Sequence, residues 1–322
     1  MAAPSFPHVG YSLSSEEHSG ADLVRFGAMG VDHGFGDLLV SDHFHPWNDE
    51  QGNSPFVWSV LGGLAAAAPG ARLGTGVTCP TMRIHPAIVA QAAATTAEMA
   101  GSFFLGVGTG EQLNEHVLGD RWPPADTRLS MLEEAVEVIR RLWRGDEVSF
   151  HGEHYDVENA RIYTLPEEPP PIYVSAFGPK ALELAARIGD GLVTTAPSED
   201  AVRGYREAGG DGPVIAGAKA CWARTEEDAR REVHRLWPNS GLPGELAQEL
   251  RTPRLFEQAS QMVDEDGAVG STPVGPDPEV HAASLRAYLE AGYDRVYVQQ
   301  IGADQEPFLR FYRDEVIPRL GA

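Results

Sequence analysis

Eight short apolar runs punctuate this chain, separated by longer stretches of helical period, and that alternation points to βα units wrapped around a parallel sheet. The runs are "HVGYSL" (8–13), "DLLVS" (37–41), "RLGTGV" (72–77), "FFLGVG" (103–108), "IYVSA" (172–176), "GLVTT" (191–195), "VIAGAKACW" (214–222) and "RVYVQQ" (295–300). Between them, "MLEEAVEVIRRLW" (131–143) sets Leu132, Val136, Ile139 and Leu142 on one face and charges on the other, which predicts a helix packed on the sheet. Eight such units in 322 residues predict an α/β fold, a (β/α)8 TIM barrel spanning 1–322 as one domain. Two segments exceed a minimal barrel. Residues 146–164 alternate apolar and polar positions around "HGEH" and predict an inserted hairpin. Residues 238–278, rich in Pro, Gly and acidic residues, predict an insertion that builds the rim of a site or an oligomer contact.

Composition narrows the partners. A formal net charge of −22 repels phosphate backbones and anionic lipid heads, and no basic patch offsets it, so nucleic-acid and membrane-surface binding are not expected. No apolar run is long enough to span a bilayer, and the start "MAAPSFPHVGYSLSSEEHSG" lacks the basic and apolar regions of a signal peptide, so a cytoplasmic location is expected. Two cysteines, Cys79 and Cys221, lack metal-ligand spacing and read as buried small residues, so no metal site is expected.

In a barrel, chemistry sits just beyond the C-terminal ends of the strands. After "DLLV" come Ser41, Asp42, His43 and Trp47; after "RLGT", Gly76, Val77, Thr78 and Cys79; after "FFLGVG", Thr109, Gly110, Glu111 and Asn114. Ser175 to Lys180 and then Thr194 and Thr195 follow the next two runs. His43 can exchange a proton near neutral pH, and Asp42 can orient a ring or a ligand, although a lone loop histidine is more often an ordinary hydrogen-bonding residue. Glu111 strengthens the catalytic reading, because a histidine and a carboxylate converging on one cavity can divide acid and base roles. Trp47 offers a flat apolar wall, which core packing explains equally well. The glycines of "GVGTGE" let backbone N–H groups approach a ligand, but Glu111 stands where the dinucleotide fingerprint needs its last glycine, so nicotinamide binding loses its main support. "AFGPKALELAARIGDG" (176–191) starts a helix with Pro179 in its first turn and Lys180 nearby, either an anion seat or an ordinary strand-to-helix turn.

With these strand ends assembled, the sequence resembles the luciferase-like flavin and deazaflavin oxidoreductases, and within them the coenzyme F420-dependent glucose-6-phosphate dehydrogenase group. The carriers are "SDHFHPW", "LGTGVTCPTMRIHPAIVAQAAAT", "FFLGVGTGEQLNEHVLG", "LWRGDEVSFHGEHYDVENARIY" and "PPIYVSAFGPKALELAARIGDGLVTT", which occur in order over most of residues 37–195. "SDHFHPW" with "GVGTGEQLNE" favours the F420 branch over the FMN branch. The resemblance implies a TIM barrel that holds the deazaflavin at its C-terminal mouth, usually as a homodimer, and acts on a small molecule. It assigns cofactor contact to Asp42, Gly76, Val77, Cys79, Thr109, Gly110, Asn114, Ala176, Phe177, Gly178, Lys180 and Ala181. It assigns catalysis to His43 and Glu111, with Trp47 beside the reacting centre, and implies a cis peptide at Gly76-Val77.

The sequence departs from that group where substrate phosphate is held by a threonine and three cations. Thr195 remains, but Ser198, Gln258 and Ser271 occupy the cationic positions, with Arg251 and Arg254 as nearby substitutes. Each lost charge-assisted bond to phosphate is worth about 1.5–3 kcal/mol, so a neutral alcohol, aldehyde or unphosphorylated sugar is expected in place of glucose 6-phosphate. Phe177 and Cys79 also replace a glycine and a threonine usual in the group. The alternatives are an FMN-dependent monooxygenase, which shares the fold, and a non-catalytic cofactor-binding protein.

Overall fold

The computed structural model describes residues 6–321. All eight apolar runs form parallel strands: β1 (Val9–Leu13), β2 (Asp37–Val40), β3 (Arg72–Thr75), β4 (Phe103–Val107), β7 (Ile172–Ser175), β8 (Gly191–Thr194), β9 (Val214–Ala220) and β10 (Arg295–Gln300). They pair in that order, and β10 closes on β1 to complete the barrel. The remaining two strands, β5 (Val148–His151) and β6 (Asp156–Ala160), form the antiparallel hairpin inserted before β7.

Helices alternate with the strands: α1 (Gly20–Asp32), α2 (Val57–Ala67), α3 (Pro86–Ala100), the short α4 (Gln112–Glu115), α5 (Ala125–Leu142), α6 (Pro179–Ile188), α7 (Glu199–Glu207) and α8 (Glu226–Leu236). The apolar stripe of α5 buries Leu132, Val136, Ile139 and Leu142 in the layer between helices and sheet. The acidic insertion contributes α9 (Leu246–Glu249), α10 (Pro253–Ser260) and α11 (Glu265–Val269), and α12 (Pro278–Glu290) and α13 (Gln305–Phe311) flank β10.

Inside the barrel, Leu39, Phe104, Tyr173, Val193, Ile215 and Tyr297 meet in a second core. Large rings fit there because glycines face them: a Cβ at Gly10 would overlap the Tyr297 ring, and one at Gly74 would overlap the Phe104 ring. Alternating large and small side chains on neighbouring strands fills the lumen without voids. That packed plug is the floor on which the mouth of the barrel rests.

The outer wall of the mouth depends on how α12 is seated. Val280, Ser284, Ala287 and Tyr288, spaced at one helical face, line the mouth, while His281 on another face is fully buried. His281 Nε2 lies 3.0 Å from the Gly275 carbonyl and Nδ1 lies 2.9 Å from the Tyr312 hydroxyl, so the neutral ring donates to the first and accepts from the second. Burial pushes its pKa down to about 4, outweighing the Gly275 carbonyl and the Asp277 charge, which raise it. The unfolded ring titrates near 6.5. Between these values only the unfolded chain binds the proton, so stability falls as pH drops from about 6.5 towards 4. From pH 6.5 to 5 the His281 share is about 2 kcal/mol. Thermal unfolding of His281→Gln measured at pH 7 and at pH 5 should show a smaller pH-induced drop in Tm than the parent; equal drops would remove His281 from the account.

Candidate active site

The loops after β1, β2 and β4 meet over the barrel floor in a cleft of about 700 Å³. Its wall includes Glu16, Ser41, His43, Trp47, Gly76, Glu111, Thr195, Lys219 and Gln299. His43, Trp47 and Glu111, expected to converge, do face one cavity.

Asn114 joins the histidine to the carboxylate. Its Oδ1 accepts from the backbone N–H groups of Phe44 (2.9 Å) and His45 (3.1 Å), which fixes the orientation of the amide. Nδ2 therefore donates, lying 3.1 Å from His43 Nδ1 and 3.3 Å from Glu111 Oε2. A donor at Nδ1 makes that nitrogen the acceptor, so the neutral His43 ring carries its proton on Nε2. Nε2 lies 3.3 Å from Glu16 Oε1. A doubly protonated ring would find its Nδ1 acceptor in the His45 carbonyl, 3.2 Å away.

Glu16 was not singled out in the sequence, yet it anchors this arrangement. It is buried immediately after β1, and its Oε2 accepts from the Ser14 hydroxyl at 2.9 Å and the Ser41 hydroxyl at 2.7 Å. Burial works to raise its pKa, but the adjacent His43 ring and the two serine hydroxyls outweigh burial and hold the carboxyl below the ordinary range. Glu17, the next residue, turns away from His43: its carboxylate accepts from the Trp237 indole (2.7 Å), the Gln299 amide (2.9 Å) and the Gly302 backbone N–H (2.6 Å).

Trp47 packs its ring 5.1 Å from His43 and 5.0 Å from Phe256, so it serves both as cleft wall and as a core contact to α10. Asp42 faces inward from the same loop. Its oxygens accept from the Thr78 hydroxyl (2.8 Å) and Arg83 (2.9 Å), and the Arg83 backbone N–H donates to Glu115 Oε2 (3.0 Å). This buried cluster ties the loops after β2, β3 and β4 together. Burial raises Glu115 to about 7, ahead of the opposing Arg83 charge.

The chain matches the model of the luciferase-like monooxygenase family over residues 4–295. It belongs to that family. An F420-dependent glucose-6-phosphate dehydrogenase of Nakamurella multipartita is 36% identical over 327 residues, covering 97% of this chain and 96% of that protein. The protein of the same name from Microbacterium testaceum is 34% identical over 325 residues, with 97% and 96% covered. A solved F420-dependent secondary alcohol dehydrogenase, in complex with an F420-acetone adduct, superimposes with a TM-score of 0.90 at 28% identity, covering 98% of this chain and 99% of that one.

Of the residues expected to touch a cofactor, Gly76 lines the cleft, and the others follow the C-terminal ends of β2, β3, β4 and β7. The Gly76-Val77 peptide is cis. Gly110 adopts φ +75°, and a Cβ there would press on the Cys79 sulfur at 2.7 Å, so Thr109 and Gly110 leave β4 by a turn that needs glycine. Cys79 is buried with its sulfur 3.0 Å from the Thr81 hydroxyl, and burial pushes the thiol well up. Beyond β7, Ala176 is buried, Phe177 is exposed, and Gly178 is the N-cap of the ten-residue α6, which carries Lys180 and Ala181 in its first turn. Lys180 is paired with Asp126 at 2.8 Å across the surface.

The substrate positions separate. Thr195 lines the cleft, whereas Ser198 caps α7, its hydroxyl accepting from Ala201 N–H at 3.1 Å, and is absent from the cleft wall. Ser271 lines the cleft; Gln258, Arg251 and Arg254 do not. Among the described residues the cation on this wall is Lys219. No cluster of three or more metal-ligating side chains is found among the described residues.

A planar deazaflavin fits these residues. The cleft floor has glycine at Gly76 and Gly217, and a Cβ at Gly217 would meet only Leu39, at 3.8 Å. A Cβ at Gly178 would meet nothing within 4 Å, leaving the N-terminus of α6 open to an anionic group.

The tautomer assignment is testable directly. Asn114→Leu removes one hydrogen bond to His43 Nδ1, worth about 0.5–1.5 kcal/mol, which corresponds to a shift of roughly 2–10-fold in tautomer ratio. Nitrogen-15 NMR of the ring should find the Nε2–H form dominant in the parent protein and the Nδ1–H form newly populated in the variant. A dominant Nδ1–H form in the parent would contradict the network.

Proposed function

We propose that this chain is a coenzyme F420-dependent oxidoreductase transferring a hydride between the carbinol C–H of a neutral alcohol or sugar and the deazaflavin. The observation that carries the reading is the His43–Asn114–Glu111 chain of hydrogen bonds over the cleft, in a protein 36% identical to an F420-dependent dehydrogenase. The relatives' names favour F420 over FMN.

When bound, the deazaflavin supplies the hydride-accepting carbon and needs a proton at its other end. Alcohol oxidation then leaves the protein two tasks: taking the hydroxyl proton and supplying one to the reduced ring. We assign the substrate proton to His43, whose ring shifts to the Nδ1–H tautomer, donating Nδ1–H to the His45 carbonyl, so that the Nε2 lone pair beside Glu16 takes the hydroxyl proton, and the proton at the cofactor to a protonated Glu111. Glu16 is a positioning residue that orients the imidazole and stabilises its charged form. Trp47 closes the wall and excludes water from the reacting atoms. Thr195 lies on the substrate side of the wall, and the open space at Gly178 and Gly217 leaves room for the cofactor.

A phosphorylated substrate is poorly matched. Ser198 is committed to a helix cap, both candidate arginines lie off the wall, and Glu16 adds negative charge. We further propose a homodimer, supported by Ile88 and Met99, 56% and 50% exposed on one face of α3, and by exposed Phe56 beside α2. No described helix is long and apolar enough to cross a membrane, and the two buried free thiols suit a reducing cytoplasm.

Purified protein mixed with F420 should quench the cofactor's fluorescence when the right alcohol or sugar is added. His43→Ala should lower kcat by about 10²–10⁴ while F420 still binds. Saturable FMN binding with oxygen uptake, and no binding of F420, would overturn the proposal. Unchanged turnover in His43→Ala would remove the histidine from it.

A further inference from the structure

Lys219 is left unused by the chemistry above. Ile215, Gly217 and Lys219 are alternate residues of β9 and point inward: Ile215 joins the barrel plug, and the other two line the cleft. The Lys219 ammonium rests 4.0 Å from the centre of the Trp237 ring and 3.4 Å from the Ser240 hydroxyl. Trp237 in turn is held by Glu17. Among the described residues no carboxylate forms a salt bridge with this ammonium, in contrast to Lys180. Burial lowers its pKa to about 8, against the charges of Glu16 and Glu17 that hold it up. An ammonium that lines the cleft with N–H donors unmatched by an anion offers them to a ligand oxygen.

The barrel order shows where that oxygen would sit. From β2, which leads to His43, the strands run β1, β10, β9, so Lys219 stands three strands away, with Glu16 just beyond β1 and Gln299 on β10 between them. Three strand spacings amount to roughly 14 Å of sheet. The lysine stem and the imidazole ring extend inward from either end of that arc, leaving room for a few bonds of substrate. The remaining wall on this side is hydroxyl-rich: Ser240, Ser271, Thr272 and Thr195.

We propose that Lys219 is a specificity-determining residue that donates to a second oxygen of the substrate, so that the site takes an uncharged polyol or sugar in preference to a monohydric alcohol. This rests on the hydride-transfer reading above. A single ammonium on a wall that also carries the Glu16 carboxylate does not match a phosphate dianion, so the phosphorylated sugar is an outcome for the test.

The experiment compares the parent, Lys219→Met and Lys219→Arg on sorbitol, glucose, glucose 6-phosphate and 2-propanol. F420 reduction gives kcat and KM, and calorimetry on the F420-loaded protein gives the Kd of sorbitol and glucose. In the parent, sorbitol or glucose should have the highest kcat/KM. Lys219→Met should lower the polyol-to-2-propanol ratio of kcat/KM at least tenfold, chiefly through KM, and Lys219→Arg should recover part of it. A purely structural role would depress both substrates alike and overturn the proposal, as would a parent that prefers 2-propanol or glucose 6-phosphate. If no compound reduces F420 but sorbitol or glucose binds and Lys219→Met weakens that binding tenfold, the hydride reading fails and the Lys219 site stands. Absent binding, or binding unchanged by the substitution, overturns the Lys219 site itself.

Discussion

The amide of Asn114 has one orientation open to it, and the arrangement of the mouth follows from that. Two backbone N–H groups of the loop after β2 claim its oxygen, so its nitrogen must donate, and the two acceptors it meets are His43 Nδ1 and Glu111 Oε2. One side chain from α4 therefore fixes the loop carrying the histidine, sets the tautomer of that histidine, and holds the carboxylate within reach of the same cavity. The proton left on Nε2 then points to Glu16, whose own oxygens are oriented by Ser14 and Ser41. Such a chain of buried, mutually satisfied polar groups is rigid because every member has a partner to lose. Preorganisation of this kind is what hydride transfer requires of a protein whose cofactor carries the difficult chemistry.

Charge then decides what can enter. Glu16 and Glu111 stand on the cleft wall, Lys219 is the cation there among the described residues, and neither Arg251 nor Arg254 lies on it. The balance favours an uncharged, hydroxyl-bearing molecule. Trp47 is shared between the wall and the core contact to Phe256, so one apolar side of the cleft is anchored in the core.

The barrel was legible because parallel strands covered on both faces read as apolar runs, and all eight became strands. Their ends were read slightly long: Cys221 leaves β9 and bridges to Val274 of the insertion, and β3 stops at Thr75. His43, Trp47, Glu111 and Thr195 were found by one rule, that polar residues just past a strand face the mouth. The same rule applied to β1 would have found Glu16, but "SSEEH" looks like a solvated turn, and only the fold shows that two successive glutamates are both enclosed. Lys219 escaped because it lies inside a strand, where the inward parity of Ile215 and Gly217 has to be established first. Ser198 followed a strand as the rule asks, yet Glu199 and Asp200 behind it are the signature of a capped helix start, and the cap took the hydroxyl. Lys180 could be placed in the first turn of α6 from sequence, but its partner Asp126 is 54 positions away and only packing brings them together.

The most direct measurement follows the hydride. Substrate deuterated on the carbinol carbon is incubated with the protein and F420, and the reduced cofactor is analysed by mass spectrometry. Direct transfer at the barrel mouth predicts one deuterium in the reduced cofactor and a slower turnover than with the protium substrate. Reduced cofactor without deuterium, or reaction that proceeds only with oxygen uptake, would contradict it.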